Sequence, residues 1–117
     1  MTARKKTQYV GSVSLGKMLS TTTTCSVDRG EEVIELVFKR NFWTSAVEAY
    51  YFDGKGRFSE KNNRLVADNV VSWNITDGDK MLPITTENLQ LLDAYLVEAM
   101  VDAMIATVNP KKKSSQA

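Results

Sequence analysis

Val70-Val71-Ser72-Trp73-Asn74-Ile75, then Thr76-Asp77-Gly78-Asp79-Lys80, then Met81-Leu82-Pro83-Ile84-Thr85-Thr86-Glu87-Asn88 and an apolar run to Asn109-Pro110: this stretch decides the fold. The β-branched and aromatic residues at 70–75 favour extended backbone, and Asp77-Gly78 supplies a turn. Thr85 can accept a hydrogen bond from a first-turn N–H, and Glu87 puts negative charge at the positive end of a helix dipole, so one long helix is predicted from Thr85 onward. A full capping box is absent, because Asn88 stands where Glu or Gln is wanted. Pro110 ends the helix, since it has no N–H and disfavours helical backbone at the residue before it.

The predicted helix is apolar on more than one side. Leu89, Leu92, Leu96, Met100, Ala103 and Met104 make a stripe at spacings of three and four. Leu89, Leu92, Leu96 and Met100, with Trp73, are the expected core. Leu91, Tyr95, Val97, Val101, Ile105 and Val108 fall outside that stripe and are the expected partner-binding residues. Gln90, Asp93, Glu98 and Asp102 leave only a narrow polar strip. A surface helix on a one-sided core needs an apolar arc of roughly 100°, so this helix is either sandwiched inside the fold or binds another chain, and self-association is expected. It is no membrane span, because Asp93, Glu98 and Asp102 would each cost about 3 kcal/mol in hydrocarbon.

Upstream, Tyr9 to Val27 mixes Val and Leu with Ser and the run Thr21 to Thr24, which reads as extended, with Gly16 a bulge or break. Asp28-Arg29-Gly30-Glu31 reads as a hairpin turn and Glu32 to Lys39 as a mostly buried strand. Phe42 to Phe52 fits either a helical stripe (Phe42, Ala46, Ala49, Tyr50) or a strand at Tyr50-Tyr51-Phe52. After the turn Asp53-Gly54-Lys55-Gly56, the polar Phe58 to Asn63 reads as a loop, and Leu65 to Ile75 as extended. Strands first and one strong helix last predict an α+β fold, with antiparallel β-strands in the N-terminal half and one long C-terminal α-helix. At 117 residues a single domain is expected, spanning 9–109, with a flexible basic N-terminus at 1–8 and a disordered Lys/Ser tail at 110–117.

Composition narrows the chemistry. The net charge of +1 gives no reason to expect nucleic acid, although Arg4-Lys5-Lys6 and Lys111-Lys112-Lys113 put positive charge at the two ends. There is no histidine and one cysteine, which removes the commonest general base, the usual nucleophile pairs and most zinc sites. No catalytic residue, metal or cofactor is expected, and Cys25 reads as a small buried hydrophobe in a reducing compartment. Gly54-Lys55-Gly56 lacks the third glycine of a phosphate loop. Asp77-Gly78-Asp79 lacks the ligand spacing of a calcium loop. Tyr50-Tyr51 and Phe58 with Lys55 and Arg57 faintly suggest a stacking surface for single strands, with too few basic residues to carry it. The N-terminus has no uninterrupted apolar segment and does not read as a signal peptide.

Val71-Ser72-Trp73, the Asp77-Gly78 turn, Leu82-Pro83-Ile84-Thr85, Glu87-Asn88-Leu89 and the long apolar helix together resemble the C-terminal part of tail assembly chaperones of long-tailed bacteriophages. The resemblance covers about a third of the chain, and it departs from the family at Asp93, where proline often stands. It implies a non-enzymatic protein of the host cytoplasm, absent from the finished virion, that binds the tape measure protein and helps recruit tail tube subunits. It also implies a longer form made by ribosomal frameshifting near the end of the short reading frame. Lys111-Lys112-Lys113 can be encoded by an unbroken adenine run on which such a shift occurs. Silent recoding of those codons is expected to abolish the longer product on an immunoblot of infected cells. A structural virion protein, such as a tail completion or head–tail connector subunit, is the alternative reading.

Overall fold

The computed structural model describes residues 11–110; the basic N-terminus and the Lys/Ser tail expected from sequence lie outside the described residues, apart from Pro110. The fold is α+β, with an antiparallel three-stranded sheet in the N-terminal half and a long C-terminal helix. Strands β1 (Thr22–Arg29) and β2 (Glu32–Lys39) form a hairpin in the register Thr22↔Lys39 to Arg29↔Glu32. The two-residue turn is Gly30-Glu31. Gly30 takes φ +81° while, among the described residues, no non-glycine residue has positive φ, the arrangement of a II′ turn, which matches the twist of the flanking strands. Asp28 Oδ1 accepts from the Gly30 N–H at 2.9 Å and holds the turn.

β3 (Val70–Trp73) joins the other edge of β2, giving the order β1-β2-β3. A bulge between Val37 and Phe38 separates the pairs Val37↔Ser72 and Phe38↔Val70. Beyond β3 the Asn74 side chain continues the ladder, accepting from the Glu35 N–H (2.8 Å) and donating to the Val33 carbonyl (2.9 Å). Ile34, Leu36 and Phe38 of β2 face the helices, while Val33 faces outward, so β2 alternates and is not buried on both sides. One solvated face is what an antiparallel sheet tolerates.

Several upstream expectations are corrected. Gly16 lies inside a short helix, α1 (Leu15–Ser20), capped by Ser14, whose hydroxyl accepts from the Lys17 N–H; extended structure begins at Thr22. The ambiguous segment is helical, as α2 (Ser45–Tyr51) with Thr44 as cap. The expected loop at 58–63 opens a twelve-residue helix, α3 (Phe58–Asn69), which passes into β3 at Val70 with no residue between them. Its buried stripe is Lys61, Asn62, Leu65 and Val66, and the two polar members hide its amphipathicity.

The Asp77-Gly78 turn closes a small hairpin of β4 (Thr76–Asp77) and β5 (Lys80–Met81), with Gly78 at φ +70°. Trp73 is buried, and its Nε1–H donates to the Leu82 carbonyl at 2.8 Å, tying the hairpin's exit to β3. Thr85 caps a helix as expected, accepting from the Asn88 N–H, but that helix, α4 (Thr86–Leu89), has only four residues. The chain then breaks and restarts as α5 (Ala94–Val108), capped by Asp93, whose Oδ1 accepts from the Tyr95 N–H at 2.8 Å. The expected single helix from Thr85 is therefore two, and Asp93 is a second start signal.

α5 packs on both β1 and α3. Both apolar stripes are consequently inside: Leu96, Met100 and Met104, and also Val97, Val101 and Ile105. The partner-binding expectation fails for Val97, Val101 and Ile105, which are at most 8% exposed. Burial of such side chains is worth roughly 1.5–3 kcal/mol each, so α5 alone contributes on the order of the net stability of a domain. Met100→Ala is expected to cost about 2–5 kcal/mol by denaturant titration. Val101→Asp should unfold the chain, while Tyr95→Ala should change stability by no more than about 0.5 kcal/mol.

Candidate partner-binding surface

The site is a corner built by α2, the glycine turn and the start of α3. Rings step outward from the core: Phe38 meets Phe42 edge-on at 5.5 Å between centroids, Phe42 meets Trp43 at 6.0 Å, and Trp43 meets Tyr51 at 5.4 Å. Tyr51 then contacts Phe52 (5.1 Å) and Phe58 (5.0 Å). Phe38 and Phe42 are fully buried, whereas Phe52 is 58% and Phe58 54% exposed. Edge-to-face aromatic pairs add about 0.5–1.5 kcal/mol beyond area burial, so the exposed rings stand on a rigid footing.

Lys61 holds the corner together. Its side chain is buried, yet Nζ donates to Asp53 Oδ1 at 2.6 Å and to the Tyr51 carbonyl at 3.2 Å. The ammonium also lies 5.3 Å from the Tyr50 ring centre and 5.6 Å from that of Phe58, within cation–π range. The Asp53 carboxylate sits at the rim, about a third exposed. The hydrogen bond from Lys61, then that from the Lys55 N–H, holds its pKa below the usual value. Gly54 and Gly56 both take positive φ, which lets the chain turn tightly enough for Asp53 to reach back.

Tyr51 bonds inward as well, its hydroxyl donating to Asn62 Oδ1 at 2.6 Å. Burial raises its pKa, and the negative charges of Asp102 and Glu98 raise it further. The polar strip of α5 therefore borders the aromatic corner. Asp102 itself is pushed up by desolvation and by Glu98.

Of the residues expected to bind a partner, Leu91 and Tyr95 are on the surface, each 79% exposed, at the α4–α5 corner. Val108 is half-buried and lines a cleft with Met18, Arg40 and Trp43. Among the expected core residues, Trp73, Leu89, Leu96 and Met100 are buried. Leu92 is half-buried beside Arg57 and Asn63 in a cleft between α3 and the α4–α5 corner. From sequence, Tyr50, Tyr51 and Phe58 stand out as a group, whereas Phe52 reads only as the end of a possible strand and the α1 arm is not apparent. Residues 11–20 are all exposed, including Val13, Leu15 and Leu19. Ser14 followed by Leu15, Met18 and Leu19 at spacings of three and four was the available signal.

Cys25 is half-buried in β1 with its pKa raised to about 11, chiefly by desolvation, so the thiol is a poor nucleophile at neutral pH. No helix among the described residues is long and apolar enough to cross a membrane. No family model, curated protein or solved structure matches the chain.

The Asp53–Lys61 bond has a pH signature. A carboxylate whose folded pKa is depressed adds stability above its unfolded pKa, about 3.9, and loses it as pH falls through the folded value. Asp53→Asn should lower the Tm at pH 7, and the gap to wild type should close as pH falls below about 4. A gap that is constant from pH 7 to 2.5 would show that the charge is not what matters.

Proposed function

We propose that this protein is a non-enzymatic phage tail assembly chaperone that binds the tape measure protein and helps recruit tail tube subunits. The observation that carries the proposal is the aromatic corner, where Phe52 and Phe58 stand exposed on a rigid stack of rings. Large exposed apolar groups on a well-packed support mark contact sites more than they mark chemistry. Leu91 and Tyr95 add a second exposed apolar spot, and the acidic strip of Glu98 and Asp102 borders the corner. The pairing of aromatic rings with carboxylates suits an amphipathic helical partner with a basic flank, the kind of segment a long helical tape measure offers.

The resemblance to the chaperone family rests on residues that act here as one structural unit. Trp73 bonds Leu82, the Asn88 amide donates to the Pro83 carbonyl at 2.8 Å, and Thr85 caps α4. That unit supports the reading through its shape, and the surface supports it through its exposed rings. A virion subunit is the second reading, favoured by the exposed α1 arm, since projecting apolar arms suit ring assembly.

Co-expression with tagged tape measure fragments distinguishes them. Wild type is expected to co-purify with the tape measure, and Phe52→Ala with Phe58→Ala to lose at least tenfold in affinity while keeping the wild-type circular dichroism. Mass spectrometry of purified virions should find no copies of the chain. Stoichiometric copies in the virion would overturn the chaperone reading in favour of the subunit.

A further inference from the structure

Among the described residues, one edge of β1 has no neighbouring strand. Thr21 accepts from the Arg40 N–H at 2.9 Å, and the ladder runs without a bulge from Thr22↔Lys39 to Arg29↔Glu32. Hydrogen-bonded pairs alternate along an antiparallel ladder. Thr23, Cys25, Val27 and Arg29 therefore turn their N–H and C=O toward β2, and Thr22, Thr24, Ser26 and Asp28 turn theirs outward. Among the described residues no backbone group bonds those outward donors and acceptors. Long edge strands are ordinarily guarded by charged side chains, a proline or a bulge. In β1 there is no proline or bulge, and charge is confined to Asp28 and Arg29 at its end, leaving Thr22 to Val27 unguarded.

We propose that β1 pairs with β1 of a second copy, antiparallel about a two-fold axis at Cys25, to make a continuous six-stranded sheet. Parity selects the register. Only even-numbered residues offer outward groups, and an axis at Cys25 pairs Thr22 with the second copy's Asp28 and Thr24 with its Ser26, each twice by symmetry. All outward groups of the strand are then bonded. An axis at Ser26 would set Thr22 against Gly30, whose N–H is already taken by Asp28. An axis at Thr24 would set Asp28 against Ser20, which belongs to α1. No like charges oppose one another in the Cys25 register.

The helix layer fits the same arrangement. α5 meets the sheet at β1, with Thr107 beside Cys25, and also packs on α3. Ala99, Ala103 and Ala106, at i, i+4 and i+7, share one half-buried flank of α5. In the dimer two α5 helices run side by side above the paired strands. Strands lie about 4.8 Å apart and packed helices 8–10 Å apart. Each helix then stands about 4–5 Å from the axis, just inboard of β1, and alanines permit the short end of that range. The dimer does not depend on which partner the aromatic corner binds.

Light scattering of the purified full chain is expected to give a dimer. Thr24→Lys with Ser26→Lys sets lysines against lysines across the axis and should yield a folded monomer. Mixing that variant with Thr24→Glu, Ser26→Glu should restore a dimer. In wild type, Cys25 faces its own copy at a non-hydrogen-bonded position, about 4.5 Å between Cα atoms, which a disulfide can span. Diamide, accepting the two electrons and two protons, should give a Cys25–Cys25 linked dimer identified by mass spectrometry. A wild type that is monomeric at every concentration, or a folded Lys variant that stays dimeric, overturns the proposal. Because burial keeps the thiol protonated at neutral pH, the linkage is tested at about pH 9 with a slow incubation. A folded dimer in which Cys25 is ionised, as its thiolate absorbance shows, yet stays unlinked overturns the register.

Discussion

The burial of α5 on two sides is the constraint from which the rest follows. A three-stranded sheet with an apolar face needs a second layer, and α5 supplies it over β1. α3 then closes the other side of the same helix, so three elements far apart in sequence share one core. Met100 and Met104 are fully buried at its centre, where an unbranched side chain fills irregular space well. Every partner-facing feature is displaced to the margins of this core as a result.

That geometry explains what the sequence could and could not reveal. The hairpin at Gly30 and the turn at Gly78 were legible because only glycine takes their backbone conformation cheaply. The width of the apolar arc on the last helix was legible too, but periodicity cannot distinguish a second internal neighbour from a second chain. Val97, Val101 and Ile105 were misread for that reason. The break between Leu89 and Ala94 was hidden because Leu91 and Leu92 carry the apolar run straight through it. α3 was hidden because Lys61 and Asn62 take core positions, and their acceptability depends on Asp53, Tyr51 and the backbone of another element. Tertiary partners decide such positions, and local composition does not report them.

The candidate surface shows the same division. Phe58 and the tyrosines at 50 and 51 could be noticed as aromatic, yet their grouping required the Gly54–Gly56 turn to fold α2 back on α3. A buried ammonium is costly unless it is hydrogen-bonded and paired. Here it is both, at the point where the exposed rings converge. The polar interior of the corner thus fixes the orientation of an apolar exterior.

The direct passage from α3 into β3 has a mechanical consequence. Phe58 opens that helix, Lys61 sits one turn in, and Asn69 is followed at once by the first residue of the strand. Twelve helical residues make a rod of about 18 Å, and no linker absorbs its movement at the far end. With α3 also packed along α5 and against α4, the positions of the aromatic rings and of β3 are set together, and Val70 enters the sheet beside the bulge where the β2–β3 ladder is least regular.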